Sequence, residues 1–549
     1  MPTITFALKD LEKLVGRKLK IEQVEELSGY GKGDYEGYDN ETDEVKIDFG
    51  DTNLPYLWSV EGVARLFKRV LGIEKGIAKL DSKKSGYQVK VDNSVGKIRP
   101  YISAFVAEGK KIDDYLLKQL IQLQEKLCEN FGRKRQKVAI GIYSHKQIKF
   151  PVHYKATDPE SISFVPLEFK REMTQAEILE SHPKGKDYAW ILDGFSKYPI
   201  LVDDQGNVLS FPPIINSNST GKIEIGEDQI FFEATGLDMD SVHLATNIFA
   251  QALSDRGFSI GSVEVQYADK KITTPFMFNE VVELDKERIK SVLGLELKDS
   301  EIKKLVENAG YNFASGKVQI PHYRRDILHQ VDVIEDIGIM YGYDNIKEKP
   351  LVSYTVGGSL PIVALIDKAR EVMVGLGCQE IMSPILSNKF TLYNQMNIKD
   401  FGTVEIKAYM SENYSVVRTW LIPILFECLS KNKHVEYPQK IFEQGLVTVR
   451  KDDEAIDHER LAYASANEKA DYTEVKQVLD YLLRMLNVQY SIEETEHDSF
   501  IAGRVGRVIV DGKKVGFIGE VAPVVLIKWG IELPVAAFEI NLTEIFEVK

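Results

Sequence analysis

The run Arg324-Arg325-Asp326-Ile327-Leu328-His329-Gln330-Val331-Asp332-Val333-Ile334-Glu335-Asp336 constrains the fold more than any other stretch of this chain. Ile327, Val331, Ile334, Ile337 and Tyr341 recur at helical spacing and predict an amphipathic helix with a buried stripe. Asp332, Glu335 and Asp336 stand at i, i+3 and i+4, so their carboxylates share one face beside that stripe. Like charges placed this way cost an isolated helix roughly 0.2–0.5 kcal/mol per pair, so the fold must compensate them. Arginines can supply the positive charge, and so can a hard cation. Oxygen donors suit Mg²⁺ better than a soft transition metal. Asp326 stands where an N-cap is expected, and acids near a helix start also favour its dipole. A solvated acidic face fits the same spacing, so these readings stay open at this point.

A length of 549 residues predicts three or four domains at about 150 residues each. Hydrophobic content of 44% and charged content of 28% are those of a globular chain. No apolar run reaches the ~20 residues that span a bilayer, and the N-terminus lacks a signal-peptide pattern. Cys128, Cys378 and Cys428 are too few and too scattered for a disulfide framework, which points to a reducing cytoplasm. The nine histidines show no ligand spacing that would support zinc. A net charge of −14 makes the chain a poor general nucleic-acid binder. Contact with RNA would need a partner chain or a local basic patch. Lys126 to Lys137, with Arg133-Lys134-Arg135, is one such candidate, though three adjacent cations are usually just a solvated loop and the signal alone is weak.

Periodicity and turn signals give an α+β multidomain chain in four parts. Residues 1–80 read as a small α/β unit. The charged stretch LDSKKSGYQ reads as a separator before a mixed α/β module at 85–268, rich in strands, with helices at 113–131 and 240–256. In the second helix Val242, Leu244, Ala245, Ile248, Phe249 and Leu253 form the expected apolar face. Residues 272–348 form a small helical, winged-helix-like module that ends in the acidic helix. Residues 358–549 open with a helix carrying Ile362, Leu365, Ile366, Ala369, Val372, Met373 and Leu376 at helical spacing, then continue as an antiparallel sheet with helices. No internal repeat is visible.

Read in order, ETDEVKIDFGDTN, LWSVEG, RPYISAFV, IQLQEKL, VAIGIY, SFVPL, PPIINS, HYRRDILHQVDVIEDI, RTWLIPILFECLSKN, KIFEQG and GFIGEV closely resemble the β-subunit family of phenylalanyl-tRNA synthetase, archaeal/eukaryotic type. Singly these strings are weak; their order over nearly the whole chain makes the resemblance specific. It implies an α2β2 heterotetramer in which the α subunit joins phenylalanine to tRNA(Phe) at the expense of ATP. It implies that Asp326, Asp332, Glu335 and Asp336 bind Mg²⁺ shared with the α subunit. Residues 358–549 resemble a class II synthetase core that has degenerated. Arg418-Thr419-Trp420 and KIFEQG resemble its second motif, while Gly503-Arg504 and Gly506-Arg507 only approximate the glycine-rich, ATP-holding arginine segment. The chain is therefore not expected to activate phenylalanine.

The module at 85–268 resembles the family's editing domain, which implies a pocket at Leu201, Ser210, Glu233 and Thr235. An apolar pocket cannot strongly reject an isostere that merely adds a hydroxyl, so tyrosine must be removed at a second site. Glu233 would accept the phenolic proton, Ser210 and Thr235 would be polar partners, and Leu201 would lie against the ring. The archaeal pattern usually has Asp at this position, and Glu carries the carboxylate about 1.5 Å further. No Ser-His-Asp or Cys-His order is present, which favours water as the attacking group. An assembly and tRNA-binding subunit with a vestigial pocket is the competing expectation. A free-standing Mg²⁺ phosphoryl-transfer enzyme is disfavoured, because no GxxxxGK[ST] segment occurs.

Overall fold

The computed structural model describes residues 2–547 as two compact units, one ending at Lys349 and the other beginning at Pro350. The first unit opens with an antiparallel sheet in the order Thr3–Ala7, Glu44–Phe49, Gly33–Asp39. Helix Val60–Val70 starts where Ser59 accepts from Gly62 N, and its buried Val63, Ala64 and Phe67 join a core shared with the following module.

That module is built on a ten-stranded mixed sheet. Its main path runs Ile215–Asn216, Val208–Phe211, Tyr198–Val202, Val152–Thr157, Ser82–Val91, Ser259–Gln266, Tyr101–Glu108, Gln229–Gly236, Val138–Ser144. Tyr143 in the last strand touches Ser210 in the second, so the sheet curls until its ends meet. The stretch LDSKKSGYQ, expected to be a separator, instead supplies most of the strand Ser82–Val91. It lies parallel to both neighbours, Ser259–Gln266 and Val152–Thr157. Its partners are remote in sequence, and its polar side chains carry no local strand signal. The sheet also extends past 268, because Lys271–Thr274 pairs with Ser259–Gln266.

Helix Met239–Asp255 begins at Asp238, whose side chain accepts from Ser241 N. The expected apolar face is buried, and so are His243, Asn247 and Gln251. Asn247 Nδ2 donates to the carbonyls of Phe276 and His322 at 2.7 and 2.8 Å. These bonds offset part of the cost of burying an amide. The first unit closes with the sheet Val281–Glu283, Lys317–Gln319, Asn312–Ala314. Helices Lys286–Leu293, Asp299–Asn308 and Gln330–Tyr341 pack around Ile289, Ile302, Val306, Ile334 and Ile337.

The second unit is a seven-stranded sheet. Its order is Gln379–Glu380, Gln439–Lys451, Glu454–Ala466, Val535–Asn541, Lys513–Val521, Phe500–Val510, Ser491–Glu494, antiparallel except for the first pair. Alternation sends Leu461 and Tyr463 to one face, against helices Pro361–Gly375 and Tyr472–Met485. Ala462 and Ala464 face Ile422–Lys431 and Pro523–Trp529 on the other. Ile366, Ala369 and Met373 are the fully buried part of the stripe expected on the opening helix. No helix among the described residues is long and apolar enough to cross a membrane.

Candidate functional site

Where the curled sheet closes lies a cavity of about 130 Å³. Ser210, Phe211, Ile140 and Glu233 line it, together with Gln124, Arg135, Lys184 and Asn216. Two of the four residues expected here, Ser210 and Glu233, do line it. Leu201 is fully buried in the core beside Leu209 and Phe231 and is absent from the wall. Thr235 is also absent, because Arg99 claims it: Arg99 Nε donates to Thr235 Oγ1 at 3.0 Å and Nη2 to its carbonyl at 2.6 Å. Neither residue lines the cavity in this structure. Leu201 pairs with Ser210 across the strands and Thr235 stands two residues along the strand from Glu233, so each shares a sheet face with a wall residue without lining the cavity itself.

Glu233 is 3% exposed and has no salt-bridge partner among the described residues. Burial pushes its carboxyl up from 4.5 to about 7, against the lowering effects of the Tyr143 hydrogen bond and the more distant Arg99 charge. Tyr143, missed in the sequence, places its hydroxyl 2.8 Å from Glu233 Oε1 and 2.9 Å from Ser210 Oγ. Glu233 Oε2 is buried with no hydrogen-bond partner. A buried, half-satisfied carboxyl on a cavity wall marks a functional-site candidate. The missed signal was Gly141 inside the apolar strand VAIGIY, since glycine in a strand interior often marks a close approach.

The basic run also reaches this cavity. Arg133, Lys134 and Arg135 have φ of 51, 51 and 66°, three consecutive left-handed residues. Each such conformation costs a side-chain-bearing residue roughly 1–2 kcal/mol, so the turn is held by its surroundings. Arg135 donates to Ile214 O at 2.8 Å and lies 4.3 Å over the Tyr188 ring. Arg133 and Lys134 remain exposed.

The acidic run forms its helix, Gln330–Tyr341, but not the predicted cap. His329 is the N-cap, and Asp332 reaches back to accept from the backbone N–H of Leu328 and His329 at 2.7 and 2.9 Å. Asp326 lies further upstream and pairs with Arg324, because buried Ile327 holds the intervening backbone in the core. The buried Arg324 also binds Asp336 at 2.7 Å and packs over the rings of Tyr56 and Tyr311. Burial opposes its charge, yet Asp336, Tyr311, Tyr56 and Asp326 outweigh it and hold the guanidinium well above its ordinary value. Glu335 turns instead to Lys32 at 2.8 Å.

The four acids therefore divide among an arginine, a lysine and two backbone N–H groups. Among the described residues no group of three or more His, Cys, Asp or Glu side chains is placed to hold a metal ion. This arrangement does not fit one Mg²⁺ shared by Asp326, Asp332, Glu335 and Asp336. In the second unit Arg418 is equally committed. It donates to Glu443 at 2.6 Å, Ser383 Oγ at 2.8 Å and Leu446 O at 2.8 Å, so it is a structural cation. Arg504 is exposed and pairs with Glu520, while Arg507 lies 4.0 Å over Phe517.

Comparison with known proteins gives a consistent assignment. Residues 346–542 match the model for the phenylalanyl tRNA synthetase beta chain CLM domain, and residues 282–343 match the tRNA synthetase B5 domain. The phenylalanine–tRNA ligase beta subunit of Pyrococcus abyssi is 44% identical over 557 aligned residues covering 100% of both chains. That of Archaeoglobus fulgidus is 39% identical, covering 100% of this chain and 99% of its own. A crystal structure of an N-terminal fragment of the phenylalanyl-tRNA synthetase beta-subunit from Pyrococcus horikoshii matches with a TM-score of 0.60 and 43% identity, over 62% of this chain and 100% of the fragment. Full-length identity at this level leaves one conclusion: the chain belongs to the family of phenylalanine–tRNA ligase beta subunits.

Proposed function

We propose that this chain works in the cytoplasm within an α2β2 phenylalanine–tRNA ligase, where an α partner uses ATP to form Phe-tRNA(Phe). We further propose that its cavity at Glu233 hydrolyses tyrosine wrongly attached to tRNA(Phe). The observation that carries the second part is Glu233 itself, buried on a cavity wall with one carboxyl oxygen unpartnered. A cavity of about 130 Å³ is the size of a single ring; an engineered cavity of about 150 Å³ accepts benzene. The ring of phenylalanine would leave Glu233 Oε2 unpaired, whereas that of tyrosine brings a hydroxyl to it. A site built to hydrogen-bond a hydroxyl discriminates far better than an apolar one.

In the hydrolysis a water oxygen attacks the aminoacyl carbonyl, the ester bond breaks, and the ribose oxygen leaves with a proton. Ser210 Oγ is engaged by Tyr143 and not by a histidine, which supports water as the nucleophile. Exposed Arg133 and Lys134, on the turn that places Arg135 at the cavity, offer cations for the acceptor-end phosphates. The test is deacylation of Tyr-tRNA(Phe) by the α/β complex with native chain or Glu233→Ala. A native rate well above the buffer rate, lost in the variant, is expected. Equal rates near the buffer value would leave an assembly and tRNA-binding subunit.

A further inference from the structure

Strand Val138–Ser144 contributes two residues, Gly141 and Tyr143, to the surroundings of Glu233. Gly141 lies directly across from Glu233, and Tyr143 lies across from Phe231. Side chains two apart in a strand share a face, so Tyr143 can lean toward Glu233 only if position 141 is bare. A Cβ at Gly141 would stand 2.0 Å from the Tyr143 hydroxyl oxygen and 2.6 Å from Glu233 Oε1. The contact and the glycine are therefore one feature.

Tyr143 has a single hydroxyl proton. With Glu233 and Ser210 both in reach, the consistent arrangement is Ser210 O–H donating to Tyr143 and Tyr143 O–H donating to Glu233 Oε1. Tyr143 is fully buried, packs 5.8 Å from Phe231, and is not on the cavity wall. It grips the carboxyl from the core side and occupies one oxygen, while Glu233 itself faces the cavity. A phenylalanine at 143 would fill the same core volume without the bond network.

We propose that Gly141 and Tyr143 set the selectivity of this cavity for a phenol over a phenyl ring, with Tyr143 as a positioning residue that fixes Glu233 Oε2 for the ligand hydroxyl. This rests on reading the cavity as a site for a tyrosyl side chain. The test titrates the full-length chain with free L-tyrosine and with L-phenylalanine, comparing native, Tyr143→Phe and Gly141→Ala, with Tyr-tRNA deacylation by the complex in parallel. Native chain is expected to bind tyrosine more tightly. Each variant is expected to shrink that preference about tenfold, with phenylalanine binding changed by less than about twofold. A preference retained in Tyr143→Phe overturns the proposal. If Gly141→Ala does not fold, Tyr143→Phe, which loses one oxygen only, decides alone. No preference in native chain overturns both this proposal and the reading beneath it. A preference without deacylation supports the proposal and removes only the hydrolysis.

Discussion

Two carboxylate regions of the first unit differ in how fully they are satisfied. The acidic run at 326–336 concentrates four acids, and every one has a partner: Arg324 for Asp326 and Asp336, Lys32 for Glu335, and two backbone N–H groups for Asp332. Glu233 is a solitary acid in an apolar strand, and it is the one with no cation and an unpartnered oxygen. Charge density in the sequence thus marks a set of mutually satisfied groups, whereas the chemically open group is a single acid in an otherwise uncharged strand. The reason is energetic. Acids held by cations have their interactions already made, while a buried carboxyl without a cation gains from any ligand that completes it.

The contrast is broken most directly at Arg324. Replacing it with methionine should leave Asp326 and Asp336 without their cation and cost about 3–5 kcal/mol, read as a lower denaturant midpoint of the full chain. A loss below about 1 kcal/mol would mean that the cluster resembles an exposed ion pair.

Glu233 should behave in the opposite sense. Its folded carboxyl, at about 7, keeps a proton that the unfolded chain releases near 4.5. Native protein then binds more protons than unfolded protein between those values, so stability falls as pH rises through that window and levels off above it. The full span is on the order of 3 kcal/mol. Glu233→Gln removes the effect, so its stability relative to native chain should grow from pH 4.5 to pH 7, measured by denaturation at several pH values. A constant difference would show that Glu233 is ionised throughout.

The exposed pair and the metal question carry smaller effects. Lys32→Met should cost under about 1 kcal/mol, because Lys32 and Glu335 are both partly solvated. Chelation of divalent metal should leave the unfolding midpoint of the isolated chain unchanged. An ion held by the four acids at 100 times its Kd would instead add about 2.7 kcal/mol, and a chelator-dependent drop of that size would restore the shared-metal expectation.

Much of the architecture was legible locally. The helices at 240–256 and 361–375 carry apolar residues at helical spacing, and the centre of each stripe is buried, whereas the strand Glu454–Ala466 is covered on both faces and shows no such period. The first part of the strand Ser82–Val91, through Gln88, was illegible, since its parallel partners are remote and its residues are mostly polar. Ser210 and Glu233 could be placed at the cavity through family resemblance. Leu201 and Thr235 stay off the cavity wall, and the sequence does not show that Arg99 occupies Thr235.

The family, the apolar stripes and an acidic helix that required compensation can all be read along the chain. Motif order and periodicity are properties of the chain read along its length. The tertiary structure alone decided which cation met each acid, that the curled sheet brought Tyr143 to Ser210 and Glu233, and that Gly141 made room for that contact. Partner choice and desolvation depend on what surrounds a group in three dimensions, and residues 67 and 90 positions apart share no local signal.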